Sequence, residues 1–171
     1  MPEPITYSID VGLHGLGIGL FTGTLLTVGY YWPIDRSTIK RGAELWSRAA
    51  QEVYLPLPPS AVYIETMQVY RGVKAWHVDP ADLLELQGLA GALALRFRYE
   101  GALKVENILP GAWKGQAPKP VMTARIQGWI DRRGWQDKLI APKPARRIGD
   151  LLDGVGLGMV VLGLEGKLCR A

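Results

Sequence analysis

The chain has 171 residues, of which 48% are hydrophobic and 21% charged, and its formal net charge is +4. This length supports one sizeable hydrophobic core, so we predict a single domain over residues 1–171. The lone cysteine, Cys169, excludes an intrachain disulfide and a cysteine-based zinc site. Because the N-terminal residues lack a signal-peptide pattern and the apolar runs are too short to cross a bilayer, we expect a cytoplasmic protein.

The N-terminal segment places one carboxylate between two apolar runs. Ile5 to Val11 alternates apolar and polar residues, and Leu16 to Leu20 alternates apolar residues with glycines. Both are predicted strands, joined by a turn that contains His14. Asp10 therefore lies in a sheet. An acid in a core strand is expected to be paired, to bind a metal or to take part in chemistry, whereas an acid on the polar side of an edge strand is simply solvated.

The next elements complete a meander and lead to a second acid. Leu25 to Trp32 is a β-rich run that supplies a third strand and ends at Pro33. A helix is predicted from Thr38 to Val53, with Ser37 as its cap. The short strand from Ala61 to Glu65 then ends on a carboxylate.

Residues 66–78 are poorly periodic and mix aromatic with basic side chains. This composition suits a loop that stacks on bases and contacts phosphate, and it equally suits an ordinary loop with aromatic anchors in the core. Tyr70, Arg71 and Lys74 are its candidate DNA contacts.

Asp79 and Pro80 form a strong helix start, and the helix is predicted to run to about Arg98. Its middle, LLELQGLAGALAL, is apolar nearly all round and rich in glycine and alanine. Such a helix is either fully buried or packs closely against a second copy of itself. Residues 79–98 are therefore a candidate dimer interface.

Positive charge is concentrated in the last third of the chain. After a predicted strand from Ala102 to Ile108 come a proline-bounded loop, a helix from Val121 to Arg132, and a second basic loop. Residues 114–147 hold nine lysines and arginines against two aspartates, so this segment carries +7 and the remainder −3. Such asymmetry is typical of a face that binds a polyanion, although a basic run can be only solvated surface. The candidate DNA contacts here are Lys114, Lys119, Arg125, Arg132, Arg133, Arg146 and Arg147.

The last helix is predicted to begin at about Arg147, with Asp150 and Asp153 near its start. Residues three apart share one face of a helix, so both carboxylates can reach the same point, although the helix dipole alone also favours acids in a first turn. With Asp10 and Glu65 they form a set of four acids that repel one another unless divalent cations lie between them, and oxygen ligands suit Mg²⁺ or Mn²⁺. Two such ions about 4 Å apart can clamp a phosphodiester for hydrolysis.

The order of these motifs resembles one known family. The sequence IDVG-x-x-x-x-G, then YIE, then WKGQ-x-PK, then D-x-x-D opening an apolar helix resembles the RuvC family of Holliday junction resolvases, within the RNase H-like superfold and especially its phage-type members. The resemblance covers essentially the whole chain. It implies an α/β fold with a central five-stranded mixed sheet, made of a three-strand antiparallel meander and two parallel strands, flanked by helices.

The resemblance also implies an activity: a homodimeric crossover junction endodeoxyribonuclease that acts in DNA recombination and repair or in phage DNA processing. The implied metal-binding catalytic acids are Asp10, Glu65, Asp150 and Asp153, and the implied basic residues near the scissile phosphate are Lys114 and Lys119. Two Mg²⁺ ions are expected in each site, with Mn²⁺ as a substitute, and branched DNA is the expected partner.

Two other functions stay open at this point. One is a related RNase H-like nuclease that acts on RNA or on flap DNA, because a fold does not fix a substrate. The other is a protein that binds branched DNA without cutting it, although such a protein gains nothing from four carboxylates beside phosphate. His14 and His77 are too few and too far apart in sequence for a zinc site, and His14 is interpreted as a turn residue or a substrate contact.

Overall fold

The computed structural model describes residues 2–35, 42–67, 79–115 and 117–166. The predicted helix cap Ser37 and the candidate DNA contacts Tyr70, Arg71 and Lys74 lie outside these residues.

In the described part of the chain, five strands form one mixed sheet. They are β1 (Ile5–Gly12), β2 (Gly15–Thr22), β3 (Leu25–Pro33), β4 (Ala61–Glu65) and β5 (Lys104–Ile108). The strand order is β3-β2-β1-β4-β5. β1, β2 and β3 form an antiparallel meander, whereas β4 runs parallel to β1 and β5 runs parallel to β4. The predicted fold class, with three antiparallel and two parallel strands, is confirmed.

Helices flank this sheet. They are α1 (Ala43–Glu52), α2 (Pro80–Tyr99), α3 (Pro110–Trp113), α4 (Lys119–Arg133) and α5 (Ile148–Val161). The predicted start of α2 is confirmed, since the Asp79 side chain accepts a hydrogen bond of 2.8 Å from the amide of Ala81. Within the described ranges, no helix has the length and apolar content needed to cross a membrane.

The N-terminal ends of two predicted elements can be compared with the structure only where residues are described. The part of the predicted first helix from 38 to 41 lies outside the described residues, and α1 as described begins at Ala43, after Gly42 with a left-handed φ of 79°. The prediction for β5 is wrong at its start. β5 begins at Lys104 rather than Ala102, because the Ala102 amide is bonded to a carbonyl in the last turn of α2. The sequence pattern of apolar residues does not reveal this contact.

The region between β5 and α4 also differs from its prediction. α4 begins at Lys119 rather than Val121, since Pro120 falls in the first turn, where no intrahelical N–H is required. The segment predicted as a loop contains α3, a four-residue helix that starts with Pro110. This short helix places Lys114 at its C-terminal end.

α2 is not fully buried. One side packs in the core, with Leu86, Leu89, Leu93 and Phe97 buried. On the other side Leu84, Leu95 and Tyr99 are 72%, 64% and 91% exposed. Of the two arrangements predicted for this helix, complete burial is therefore wrong, and packing of its exposed side against another chain stays a prediction.

Alternation along β1 and β4 decides which side chains face which layer. Tyr7 and Ile9 belong to the core cluster shared with α1 and α2, whereas Ser8 faces the opposite layer and donates a hydrogen bond of 2.7 Å to a carbonyl of α5. Asp10 follows Ser8 at a spacing of two and lies on the same face. The same period places Glu65 opposite the buried side chain of Ile64.

Close packing of α5 on β2 depends on glycine. A Cβ atom on Gly17 would overlap the carbonyl of Asp150, and a Cβ atom on Gly154 would overlap the carbonyl of Gly17. The backbones of α5 and β2 therefore lie in direct contact, as glycine permits. This contact carries the first two turns of α5, with Asp150 and Asp153, over β1.

Candidate active site

Asp10 and Glu65 are neighbours on adjacent parallel strands. They are register partners at the carboxyl ends of β1 and β4, and their side chains project from the same face of the sheet. Both side chains are largely buried, at 13% and 11% exposed. Two acids in this position require positive charge nearby, because burying like charges together is strongly unfavourable.

Lys114 supplies that charge. Its Nζ lies 2.9 Å from Glu65 Oε1, 3.1 Å from Asp153 Oδ2 and 3.5 Å from Asp10 Oδ1. Three carboxylates from β1, β4 and α5 thus meet at one ammonium group. Because one cation faces three acids, the cluster carries excess negative charge when all three are ionised.

Trp113 fixes the second oxygen of Glu65. Its indole Nε1 donates a hydrogen bond of 2.7 Å to Glu65 Oε2, and the ring is almost fully buried. Both oxygens of Glu65 therefore have partners from the α3 segment. Sequence reasoning missed this role, and the only signal for it was the position of Trp113 directly before a lysine that was already a candidate.

The pKa values of the cluster follow from burial and charge. Burial raises the pKa of Asp10 to about 8, with Lys114 acting against that rise and Glu65 adding to it. Burial also raises the pKa of Glu65, although Lys114 and the Trp113 hydrogen bond lower it in part. Burial alone would lower the pKa of Lys114, but the surrounding carboxylates outweigh it and the pKa is raised. Asp10 and Glu65 therefore retain protons more readily than free carboxylates do.

Asp150 lies beside this cluster rather than in contact with Lys114. Its Oδ1 is 2.9 Å from Lys119 Nζ, and its Oδ2 is 3.3 Å from a guanidinium nitrogen of Arg147. The charge of Asp150 contributes to the raised pKa of Asp10, so the two acids are electrostatically close. The structure thus brings three of the four predicted acids to one point and places the fourth next to them with basic partners of its own.

The donor chemistry of the cluster fits a hard divalent cation. The ligand atoms that the described residues offer here are carboxylate oxygens, and Asp153 Oδ1 is buried with no hydrogen-bond partner among those residues. However, across residues 2–35, 42–67, 79–115 and 117–166, no group of three or more acidic, histidine or cysteine side chains is arranged to hold a metal ion. Mg²⁺ needs oxygens at about 2.0–2.1 Å, whereas the carboxylates stand around the larger Lys114 ammonium. A divalent cation held by Asp10, Glu65 and Asp153 would take the place of the Lys114 ammonium group.

The remaining basic candidates differ in their surroundings. Arg133 pairs with Glu165 and donates a hydrogen bond of 2.8 Å to the Leu164 carbonyl, and Arg132 lies 3.5 Å from the same glutamate. These two arginines tie α4 to the segment after α5. The other candidates with exposed side chains are Arg125 and Arg146.

Among the comparisons with known proteins, the one with solved structures supports the fold. The sequence matches no family model and no curated protein. Its structure is similar to that of Thermus thermophilus RuvC in complex with a Holliday junction substrate, with 19% identity, 90% of this chain and 89% of that chain covered, and a TM-score of 0.54. It is also similar to another Thermus thermophilus RuvC structure, with 21% identity, 90% of each chain covered and a TM-score of 0.54. It is similar as well to the yeast mitochondrial Holliday junction resolvase, with 14% identity, 95% of this chain and 78% of that chain covered, and a TM-score of 0.54. At these identities the likeness shows that the chain shares the fold of these proteins.

Proposed function

We propose that the protein is a divalent-metal-dependent endonuclease that resolves four-way DNA junctions. The observation that carries the proposal is the meeting of Asp10, Glu65 and Asp153 at one cationic point, with Asp150 beside them. Buried acids from separate elements are unfavourable unless they serve to bind cations. The shared fold with two junction resolvases supports DNA junctions as the substrate class.

Each side chain has a role in this proposal. Asp10, Glu65 and Asp153 hold Mg²⁺, with Mn²⁺ as a substitute, and Asp150 completes the ligand set. When bound, the ions activate water and stabilise the leaving oxygen. Lys114, once released from the carboxylates, and Lys119 neutralise charge on the phosphodiester.

We further propose that the whole chain is one nuclease domain that meets DNA through its basic segment, residues 114–147. Phosphate contacts make the affinity fall steeply with salt, because each contact releases counterions from DNA. A plot of the logarithm of the association constant against the logarithm of salt concentration should have a strongly negative slope. An affinity that does not change between low and moderate salt would contradict this assignment. A role in DNA recombination and repair or phage DNA processing, in the bacterial cytosol, would fit such an enzyme.

The exposed side of α2 supports a homodimer in this proposal. Leu84, Leu95 and Tyr99 are separated by eleven and four residues, which are close to whole helical turns, so they form an apolar stripe along one side of the helix. A twofold axis at this stripe would pair two active sites. Such a pair would nick two opposed strands of a junction.

A substrate panel tests the proposed function. Labelled four-way junction, linear duplex, flap and RNA–DNA hybrid are each incubated with the protein and Mg²⁺, and the products are mapped at nucleotide resolution. Paired symmetric nicks in the junction alone are the expected result. Preference for the hybrid or the flap would replace the proposal with a related RNase H-like nuclease. Tight junction binding without nicks would identify a binding protein and contradict the enzyme.

A further inference from the structure

A cavity of about 290 Å³ adjoins the acid cluster on the side of the β1–β2 turn. Its walls include His14 in that turn, Tyr31 near the end of β3, and Arg146 and Arg147 directly before α5. Arg147 also pairs with Asp150 at 3.3 Å, so the cavity and the candidate active site share a boundary. The catalytic roles assigned above do not use this cavity.

The wall that carries His14 is held rigidly. The Tyr31 hydroxyl donates a hydrogen bond of 2.7 Å to the His14 carbonyl, and the Ile34 amide donates one of 2.9 Å to the same oxygen. Gly15 has a φ of 154°, and a Cβ atom there would overlap the Tyr31 ring, so the turn requires glycine. The cavity therefore exists before any ligand enters, which lowers the entropic cost of binding.

The charge of the cavity favours an anion. Arg146 is exposed and has no hydrogen-bond or ion-pair partner among the residues that the structure describes. Arg147 shares its charge with Asp150, and Asp35, which also lines the cavity, has an interaction of its own. Two arginines that line one cavity match the oxygens of a phosphate group better than any neutral ligand.

The volume and the position of the cavity limit the kind of ligand that it can bind. The cavity lies at the lower end of the roughly 300–1,000 Å³ range of small-molecule pockets, and it suits one phosphate with part of its sugar. We propose that it binds the phosphodiester next to the one that is cut, with Arg146 as the main cationic contact. This assignment rests on the proposed function, because it takes the DNA strand to run through the acid cluster. Arg146 is then a positioning residue that sets the register of the DNA strand over Asp150.

Charge removal from single phosphates tests this assignment. The cut site is first mapped with wild-type protein and Mg²⁺, and junctions are then made with one uncharged methylphosphonate at each of the neighbouring positions. Binding is measured in Ca²⁺ for the wild type, for Arg146→Gln and for Lys143→Gln. The control removes the same charge from an exposed residue of the same basic segment that does not line the cavity, so it accounts for the general attraction between this segment and DNA.

We expect Arg146→Gln to bind the unmodified junction about tenfold more weakly, as the loss of one charge-assisted hydrogen bond predicts. The affinity of the wild type and of Lys143→Gln should fall by a similar factor when one phosphate adjacent to the cut site is neutralised. The affinity of Arg146→Gln should not fall further at that position. If the protein binds and nicks the junction but Arg146→Gln loses as much affinity as the wild type at every methylphosphonate position, the proposed subsite is wrong and the proposed nuclease activity is retained. If no DNA is bound, both proposals are wrong.

Discussion

Lys114 Nζ lies 2.9 Å from Glu65 Oε1, in a largely buried ion pair that also faces Asp10 and Asp153. Removal of the ammonium leaves three buried acids without a counterion, which is more costly than the loss of an exposed pair. We therefore expect Lys114→Met to lower the free energy of unfolding by about 3 kcal/mol in EDTA. Denaturant titration measures this value.

Lys119→Met is the matched control, because the Lys119 side chain is 57% exposed and, within the described ranges, has Asp150 as its one ion-pair partner. Its loss should cost less than about 1 kcal/mol. Equal stability of the two variants would show that Lys114 does not serve as the counterion of the buried acids. Added Ca²⁺ should recover much of the stability lost in Lys114→Met, since a divalent cation replaces the missing charge.

The raised pKa of Asp10 predicts a pH dependence of stability. Its value moves from 3.8 to about 8 on folding, so the folded protein holds a proton that the unfolded chain has already released. The stability contributed by neutral Asp10 is fully present below about pH 4 and is lost as the pH rises to about 8. Asn cannot ionise, so the Tm of Asp10→Asn relative to wild type should rise between pH 5 and 8 in EDTA.

Above about pH 9 the difference in Tm between Asp10→Asn and wild type should be constant. Asp137→Asn, a substitution on the exposed surface, controls for the loss of an aspartate as such. A difference between Asp10→Asn and wild type that stays flat from pH 5 to pH 9 would contradict the raised pKa of Asp10.

Trp113→Phe should weaken metal binding by about tenfold or more, because loss of a hydrogen bond to a metal ligand commonly has this effect. The phenyl ring keeps much of the packing but cannot donate to Glu65 Oε2. Calorimetric titration with Mn²⁺ gives the affinity directly. Trp129→Phe, also in a buried site of the same core cluster, removes similar packing without touching Glu65. If both variants bind Mn²⁺ equally well, Trp113 has only a packing role.

Leu95→Glu should shift the protein toward monomer, because it places a charge on the exposed side of α2. Sedimentation equilibrium should show a dimer dissociation constant at least about tenfold higher than that of the wild type. Leu103→Glu changes a leucine that is also highly exposed but lies outside α2. An unchanged dimer in Leu95→Glu would exclude this face as the interface.

The sequence was sufficient for the sheet because its strands have clear local signals. Alternation in β1 predicted that Asp10 points away from Tyr7 and Ile9. The predicted strand β4 ends at Glu65. Since parallel neighbours align their carboxyl ends, Asp10 and Glu65 meet once both strands are known. This part of the site follows from short-range pattern.

The remainder depends on contacts between distant parts of the chain. Local pattern predicted α5 and the spacing of its two aspartates. It did not predict that Asp153 pairs with Lys114 at the end of α3, whereas Asp150 pairs with Lys119 at the start of α4. The start of α3 at a proline gave no periodic signal, so Trp113 was not recognised as a partner of Glu65.

The most direct test of the central claim is the nicking rate of a four-way junction in Mg²⁺ for wild type, Asp10→Asn and Asp137→Asn. Asp10→Asn removes a charged oxygen at the centre of the acid cluster and should reduce the rate by at least about 100-fold, as for other losses of transition-state stabilisation. Junction affinity measured in Ca²⁺ should be retained, and Asp137→Asn should cut like the wild type. Cleavage by Asp10→Asn at the wild-type rate would contradict the account.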